Sequence, residues 1–228
     1  MTASSLLVKI CGVTNAIDAQ AAIAAGADAI GFVMGGKVLP PEVEPAAQAV
    51  RAAIKRFPAG TDSFLVTHLT EVEEILALAD YIGSTGIQVS EDIGPDQARD
   101  LRSRTSRKII KTIVVDDEAR SLERLRAYEP HADFLLLDTR HGGYTGGTGV
   151  TNDWGICRAL VAAARKPVYL AGGLTPENVR AAAEAVHPQG LDVSTGVSVY
   201  GADYRKKDRK DERKIKAFLR IAKQPYEA

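Results

Sequence analysis

The sequence has only two cysteines in 228 residues, no excess of either charge and no long apolar run. Cys11 and Cys157 are too few for a disulfide framework, which favours a reducing compartment. Twenty-nine basic residues balance twenty-nine acidic ones, so charge gives no reason to expect nucleic acid or an anionic membrane as a partner. We find no signal-peptide pattern and no run of about 20 apolar residues. These absences predict a cytoplasmic protein that neither binds nucleic acid nor enters a membrane.

Short apolar and β-branched runs recur along the chain, and stretches with helical periodicity separate them. Several runs are continuously apolar, which is typical of parallel strands covered on both faces. The predicted strands are residues 6–11, 28–33, 62–67, 86–89, 108–114, 133–138, 167–171 and 191–194. The predicted helices are residues 15–25, 44–56, 70–80, 94–103, 117–128, 153–164, 175–186 and 208–222. Asn15, Thr70 and Thr175 open three of these helices as predicted caps.

Eight strand-then-helix units predict an α/β protein with a parallel sheet. Their number and the chain length suit a small (β/α)8 barrel, whereas an open doubly wound sheet more often has five or six strands. The least regular strand patterns are the third, which contains Asp62 and Ser63, and the short fourth. No linker or low-complexity segment divides the chain. We therefore predict a single (β/α)8 TIM-barrel domain over residues 1–228.

In barrels of this kind the chemistry lies on the loops that follow the carboxyl ends of the strands. That rule selects a small part of the sequence as candidate site. The selected residues are Cys11, 34–37, His68, Ser90, 116–117, 138–149, 172–173 and 195–197.

Glycine-bearing loops follow the seventh and eighth predicted strands, in LAGGLTPENV and DVSTGV. Glycine lets a ligand approach the backbone, and N–H groups at a helix start can bind an anion. Gly172 and Gly173 could instead form only a tight turn. Because loops 7 and 8 commonly hold phosphate in this fold, we predict a phosphate site there.

Asp138 ends an otherwise apolar strand and precedes a loop with five glycines between residues 142 and 149. Burial at the end of such a strand would raise the pKa of its carboxyl toward the range of a general acid. The glycine-rich loop could fold tightly or close as a lid. The alternative is that Asp138 only caps a helix or loop.

Cys11 lies at the mouth of the first predicted strand, two residues after Lys9 and therefore on the same face. An isolated cysteine is more often inert and buried than catalytic. A nearby ammonium group would lower the thiol pKa toward neutrality and favour a reactive thiolate. Cys157 falls inside a predicted helix, so we expect it to be structural.

Five segments, in the same order and with similar spacing, resemble the phosphoribosylanthranilate isomerase family of tryptophan biosynthesis. They are KICGVT (9–14), DAIGFV (28–33), LLLD…GGTG…DW (135–154), LAGGLTPENV (170–179) and DVSTGV (192–197). The resemblance implies a cofactor-free (β/α)8 barrel that performs an Amadori rearrangement of an N-linked aminoaldose phosphate. It also implies a phosphorylated small-molecule substrate.

By position, the resemblance implies that Cys11 is the general base and Asp138 the general acid. It further implies that the phosphate is held at Gly172, Gly173, Thr195 and Gly196. Other candidate substrate contacts are Lys9, Lys37, Gln88 and Arg140.

Three loops depart from the family pattern. After strand 2 the family usually has Ser-Pro-Arg, whose arginine binds the anthranilate carboxylate, and here Lys37 is a non-bidentate substitute. After strand 4, Gln88 is kept but Ser90 replaces a histidine, and after strand 8 Ser198 replaces a glutamate. Arg140, together with His141, could supply a replacement carboxylate contact.

The pattern leaves several functions open. The chain could be the ordinary isomerase, a divergent paralogue that acts on another sugar-phosphate adduct, or a non-catalytic sugar-phosphate binder. An aldolase or epimerase stays open if Lys111 points into the barrel, where it could form a Schiff base. No metal-ligand spacing is present, and the chain is expected to be a monomer or homodimer.

Overall fold

The computed structural model describes residues 6–35, 45–91, 93–141, 144–145, 151–199 and 209–225. Eight parallel strands form a closed barrel in the order β1, β10, β9, β6, β5, β4, β3, β2, and β2 pairs again with β1. The strands are β1 (Leu7–Ile10), β2 (Ala29–Met34), β3 (Asp62–Thr67), β4 (Gly86–Val89), β5 (Lys108–Val114), β6 (Phe134–Asp138), β9 (Val168–Leu170) and β10 (Gly190–Val193). A short antiparallel pair, β7 (Arg140–His141) and β8 (Tyr144–Thr145), follows β6.

Eight helices accompany the barrel strands in the described part of the chain. They are α1 (Ala16–Ala24), α2 (Pro45–Ile54), α3 (Val72–Ile82), α4 (Gly94–Arg104), α5 (Glu118–Tyr128), α6 (Trp154–Ala163), α7 (Val179–Val186) and α8 (Glu212–Ala222). The predicted (β/α)8 barrel is thereby confirmed. The two least regular strand patterns are strands too, with the predicted bounds 62–67 and 86–89.

The predicted helix starts are less accurate than the strands. Asn15 does cap α1, because its side chain accepts a hydrogen bond from the N–H of Asp18 at 2.9 Å. Thr70 and Thr175 were wrong as caps, since α3 begins at Val72 and α7 only at Val179. The residues before α7 form a side-chain-stabilised turn instead, described below with the site.

Two apolar regions stabilise the barrel. The larger lies between the strands and the surrounding helices, and the smaller fills the barrel interior. The interior cluster consists of Cys11, Ala29, Phe64, Val66, Ile110, Leu136, Tyr169 and Ala171. Since successive side chains of a strand point to opposite faces, these residues mark which positions of each strand face inward.

The first and last loops of the barrel are joined by a buried carboxylate. Asp18, near the start of α1, accepts hydrogen bonds from the side chain of Asn15 at 2.7 Å and from the N–H of Lys210 at 3.0 Å. Lys210 in turn pairs with Ser198 in an isolated β-bridge. The segment before α8 is therefore attached to the part of the chain that follows β1. Among the described residues, no helix combines the length and the apolar character needed to cross a membrane.

Glycine is required where an interior aromatic ring fills the barrel. A Cβ at Gly86 would overlap the ring of Phe64 and lie 3.0 Å from the carbonyl oxygen of Lys108. Phe64 is 1% exposed and surrounded by other core residues, so its ring has little room to move.

We expect Gly86→Ala to lower the free energy of unfolding by about 1–3 kcal/mol, because it overpacks the barrel interior. Urea denaturation of both proteins gives the difference. Phe64→Leu in the same chain should recover part of the loss, since the smaller side chain makes room for the added methyl group. A Gly86→Ala variant as stable as the parent would contradict this packing.

Candidate active site

Cys11 directly follows β1 and faces the interior of the barrel. Its N–H donates to the carbonyl oxygen of Val193 at 2.8 Å, which continues the pairing between β1 and β10. A Cβ at Gly31 in β2 would lie only 3.0 Å from both the Cys11 sulfur and the Lys9 ammonium group. Glycine at position 31 therefore gives the thiol and the ammonium group the space that they share.

Lys9 and Asp192 form a buried ion pair beside the thiol. They lie opposite each other in the register of β1 and β10, and Lys9 Nζ donates to Asp192 Oδ1 at 2.7 Å. Lys9 is completely buried and Asp192 is 6% exposed. Burial opposes the charge on Lys9, but the neighbouring carboxylate more than compensates and raises the pKa of the ammonium group. Lys9 is therefore charged throughout the physiological range.

The expectation that Lys9 would bring the thiol pKa toward neutrality was wrong. Burial raises the pKa of Cys11 above its ordinary value, and the Asp192 carboxylate raises it further. Lys9 and Lys210 lower the thiol pKa, but they do not offset the loss of solvent around the sulfur. Cys11 is consequently a thiol in most molecules at neutral pH.

Asp138 has the property expected of a general acid. Its carboxyl is 8% exposed at the end of β6, and burial raises its pKa from 3.8 to about 7. The N–H of Thr139 donates to Oδ1 at 2.7 Å and opposes this shift by stabilising the charged form. A carboxyl with such a pKa is protonated in a large share of molecules near neutral pH.

Cys11 and Asp138 share one electrostatic environment. Their strands, β1 and β6, are three places apart in the ring of eight, with β10 and β9 between them. Asp192 raises the pKa of both groups, and Lys9 lowers the pKa of both. The ion pair on β1 and β10 thus acts on the thiol and on the carboxyl at once.

The loop after β9 has the backbone of an anion site. Gly172 and Gly173 have φ angles of 84° and 62°, which favour glycine. Asn178 stabilises the turn that follows, since its Nδ2 donates to the Gly173 carbonyl at 2.9 Å and its Oδ1 accepts from the N–H of Thr175 at 2.8 Å. This turn occupies the four residues that were predicted to open α7.

The loop after β10 is a 3₁₀ turn over Thr195–Val197 that packs against the β9 loop. A Cβ at Gly196 would overlap the carbonyl group of Leu174, so only glycine allows the two loops to touch. Among the described residues, none accepts a hydrogen bond from the N–H groups of Gly172, Gly173, Thr195 or Gly196. These four donors are therefore available to a bound anion.

Lys210 stabilises this 3₁₀ turn by binding the two residues that flank it. Its Nζ donates to the Ser194 carbonyl oxygen at 3.2 Å and to Ser198 Oγ at 3.0 Å. A Cβ at Gly12 would lie 3.3 Å from the same ammonium group. Ser198, at the position where the family has glutamate, is thus a hydrogen-bond partner of a cation that lies near both the turn and Cys11.

Gln88 faces the barrel interior from β4 and is 4% exposed. Its Nε2 donates to Thr112 Oγ1 at 3.4 Å, whereas its Oε1 is buried and has no hydrogen-bond partner among the described residues. A buried acceptor without a partner is unfavourable in the free protein and suits a ligand that brings a donor. Ser90, at the family's histidine position, is also buried at the end of the same strand.

Two predicted contacts are not described at the level of side chains. Lys37 lies outside the described residues, and for Arg140 the structure gives the backbone in β7 only. Within the described part of the chain, no group of three or more His, Cys, Asp and Glu side chains is arranged to hold a metal ion.

Lys111 does not point into the barrel. Its ammonium group donates to the carbonyl oxygens of Glu91 and Thr112, both at 2.9 Å, and lies 4.7 Å from the centroid of the Tyr128 ring on α5. The side chain therefore lies between the strands and the helices, and an interior Schiff-base lysine at this position is ruled out.

Burial raises the pKa of Cys157 in α6 to about 12, in keeping with the structural role expected of it.

Sequence reasoning missed three residues of the site: Asp192, Lys210 and Asn152. Asp192 carried a signal, because a carboxylate within an apolar strand needs a buried partner, and Lys9 is the corresponding charge in the first strand. Lys210 and Asn152 carried none, since their partners are distant in sequence and lie on other loops.

Comparison with known proteins agrees with this geometry. Residues 8–220 match the family model of N-(5'-phosphoribosyl)anthranilate (PRA) isomerase. The N-(5'-phosphoribosyl)anthranilate isomerases of Haloarcula marismortui and Desulforudis audaxviator are each 38% identical to this chain. The matches cover 96% of the chain and 97% and 98% of the two relatives, respectively.

Solved structures give the same result. Phosphoribosyl anthranilate isomerase from Thermotoga maritima superposes with a TM-score of 0.80 at 32% identity, covering 96% of this chain and 98% of its own. A phosphoribosyl anthranilate isomerase in complex with reduced 1-(o-carboxyphenylamino)-1-deoxyribulose 5-phosphate has a TM-score of 0.77 at 31% identity, with the same coverage. The chain is a member of the phosphoribosylanthranilate isomerase family.

Proposed function

We propose that this protein converts N-(5'-phosphoribosyl)anthranilate to 1-(o-carboxyphenylamino)-1-deoxyribulose 5-phosphate, with Asp138 as general acid and Cys11 as general base. One observation carries this proposal: the Lys9–Asp192 ion pair acts on the pKa of both the Cys11 thiol and the Asp138 carboxyl. The two glycine loops follow β9 and β10, the strands that lie between these two groups. The family name and the ligand of the solved relative support this substrate.

The rearrangement needs one proton given and one proton taken. Protonated Asp138 donates its proton to the ring oxygen of the ribose as the bond between that oxygen and C1 breaks, and the nitrogen lone pair forms a Schiff base with C1. The Cys11 thiolate then removes the proton from C2, which leaves an enolamine. The enolamine tautomerises to the ketone product, so no oxidant or reductant is consumed. Each of the two groups would contribute roughly 10²–10⁴-fold to the rate.

The loops after β9 and β10 would anchor the substrate phosphate. The unused N–H groups of Gly172, Gly173, Thr195 and Gly196 suit its oxygens, and Lys210 places a positive charge behind them. Gln88 would use its open Oε1 to accept a hydrogen bond from the substrate. Lys9 was predicted to touch the substrate, but we assign its buried ammonium group to the stabilisation of the thiolate.

We further propose that the enzyme works in the cytoplasm as a monomer or homodimer. Both cysteines are free, which suits a reducing compartment. We propose that Lys37 and Arg140 bind the anthranilate carboxylate, because both are basic residues that follow the carboxyl end of a barrel strand, β2 and β6 respectively.

Cys11→Ala and Asp138→Asn should each lower kcat for N-(5'-phosphoribosyl)anthranilate by at least about 100-fold, because each removes one proton transfer. Product formation followed by fluorescence checks this, and Cys157→Ala is the control that should keep its kcat. Full turnover in either site variant rejects the assigned role. A wild-type chain that binds the substrate without turning it over would instead be a sugar-phosphate binder.

The pH dependence follows from the two pKa values. Only molecules with a deprotonated Cys11 and a protonated Asp138 can react, and this state is a minor one because the pKa of Asp138, about 7, lies below that of Cys11. Its population rises with pH up to about 7, is level between the two pKa values and falls above the thiol pKa. We expect kcat/KM to follow this curve.

The control is the inhibition constant of inorganic phosphate, measured over the same pH range. Its pH dependence shows how the ionisation of a phosphate group affects binding, so that this effect can be separated from the ionisation of Cys11 and Asp138. A rate that continues to rise tenfold per pH unit from pH 7 to 9 would show that a protonated Asp138 is not required.

Lys9→Met should raise the thiol pKa further, because it removes a nearby cation and leaves the Asp192 carboxylate unpaired. The rate of Cys11 alkylation by iodoacetamide as a function of pH measures this, in a Cys157→Ala background so that one thiol reacts. Lys9→Met with Asp192→Asn removes both charges, and its thiol pKa should lie nearer that of the parent. A lower thiol pKa in Lys9→Met would contradict the assignment.

A further inference from the structure

Asn152 lies between the glycine-rich loop after β6 and the start of α6, and it is 7% exposed. Its Nδ2 donates to the Leu137 carbonyl oxygen at 3.4 Å and to the Ala171 carbonyl oxygen at 2.9 Å. Leu137 directly precedes Asp138, and Ala171 directly precedes Gly172. The two strands already pair here, because the Ala171 N–H donates to the Leu137 carbonyl oxygen at 2.9 Å. The side-chain amide adds a second link between the strand that carries the carboxyl and the strand that carries the glycine loop.

The chemistry of the amide fixes its orientation. Both partners are carbonyl oxygens, which can only accept, so the NH₂ group must face them and uses both of its hydrogens. The Oδ1 atom is buried and has no hydrogen-bond partner in the described part of the chain. The side chain thus makes two hydrogen bonds inside the protein, and both of them hold backbone at the site.

The backbone around this amide is too crowded for a side chain at position 172. A Cβ at Gly172 would lie 2.8 Å from Asn152 Nδ2 and 3.3 Å from Asp138 Oδ1. The amide, the carboxyl and the first residue of the phosphate loop therefore meet at one point. A shift of any one of them displaces the other two, because groups packed this closely have no free space between them.

We propose that Asn152 is a positioning residue that sets the distance between the general acid and the phosphate loop. This inference rests on the proposed function. The substrate carries its ring oxygen and its phosphate in one molecule, so the carboxyl reaches the ring oxygen only when both anchoring points are correctly spaced. Misplacement by about 1 Å can cost on the order of 100-fold in rate. Asn152 adds a side-chain link that holds this spacing where the pairing of β6 and β9 ends.

The test compares Asn152→Leu and Asn152→Ala with a variant that disturbs only the phosphate loop. Leucine keeps the branched shape and removes both donors, and alanine is the second choice if leucine does not fold. We expect kcat for N-(5'-phosphoribosyl)anthranilate to fall about 10–100-fold, with a several-fold rise in KM and in the inhibition constant of inorganic phosphate.

Asn178→Ala is the matched control, because Asn178 holds the Gly173 carbonyl and its hydrogen bonds to the described residues stay within the β9 loop. It should raise KM and the inhibition constant of phosphate and leave kcat within about twofold, since binding is lost but the acid stays in place. A merely structural Asn152 would lower the melting temperature and leave kcat and KM unchanged, which would overturn the proposal.

A double variant separates this inference from the acid role itself. In an Asp138→Asn background, Asn152→Leu should lower the residual kcat no further, because its effect on chemistry acts through the carboxyl. Its effect on phosphate affinity, followed by the fluorescence of the single tryptophan, Trp154, should persist. An equal kcat loss in both backgrounds would overturn the inference. Full turnover of Asp138→Asn alone would overturn the proposed function instead.

Discussion

The register between β1 and β10 is the constraint on which the site depends. It joins the first and last barrel strands and places Lys9 opposite Asp192. An isolated buried charge would be costly, so each residue requires the other, and truncating one member of such a pair typically costs about 3–5 kcal/mol. The same closure directs Cys11 into the barrel beside the pair and puts the Ser194–Val197 turn next to it. The closure of the barrel, the ion pair and the Cys11 thiol are thus one structural unit.

The buried polar groups of the site lower the free energy of unfolding. A carboxyl whose pKa rises from 3.8 to about 7 in the folded protein binds protons that the unfolded chain releases. Between about pH 4 and 7 the free energy of unfolding therefore falls as pH rises. The buried acceptors of Gln88 and Asn152, for which no described residue is a hydrogen-bond partner, add to this cost. The large apolar layer between strands and helices supplies the stability that such a site needs.

One lysine and two side-chain amides hold the loops after β9 and β10, and the partners that they bind in the described part of the chain are uncharged. Lys210 meets the hydroxyl of Ser198 and the Ser194 carbonyl, while the amides of Asn152 and Asn178 hold carbonyl groups on the β9 side. Hydrogen bonds of this kind fix backbone geometry without neutralising the positive charge of Lys210 near the two loops. The departures at the loops after β2 and β4 lie on the other side of the ring, and the departure at Ser198 lies beside the loops after β9 and β10.

The sequence by itself determined the eight strands, the barrel and the positions of Cys11, Asp138 and the glycine loops. Those features depend on local patterns: strand periodicity, glycine at loops and the order of motifs along the chain. Only the tertiary structure decided that Lys111 faces the helices, that α7 starts four residues later than predicted, and that the thiol pKa rises rather than falls. It also revealed Asp192, Lys210 and Asn152 as parts of the site. These outcomes depend on burial and on contacts between residues distant in sequence, such as the 183 positions that separate Lys9 from Asp192, and no local pattern records either.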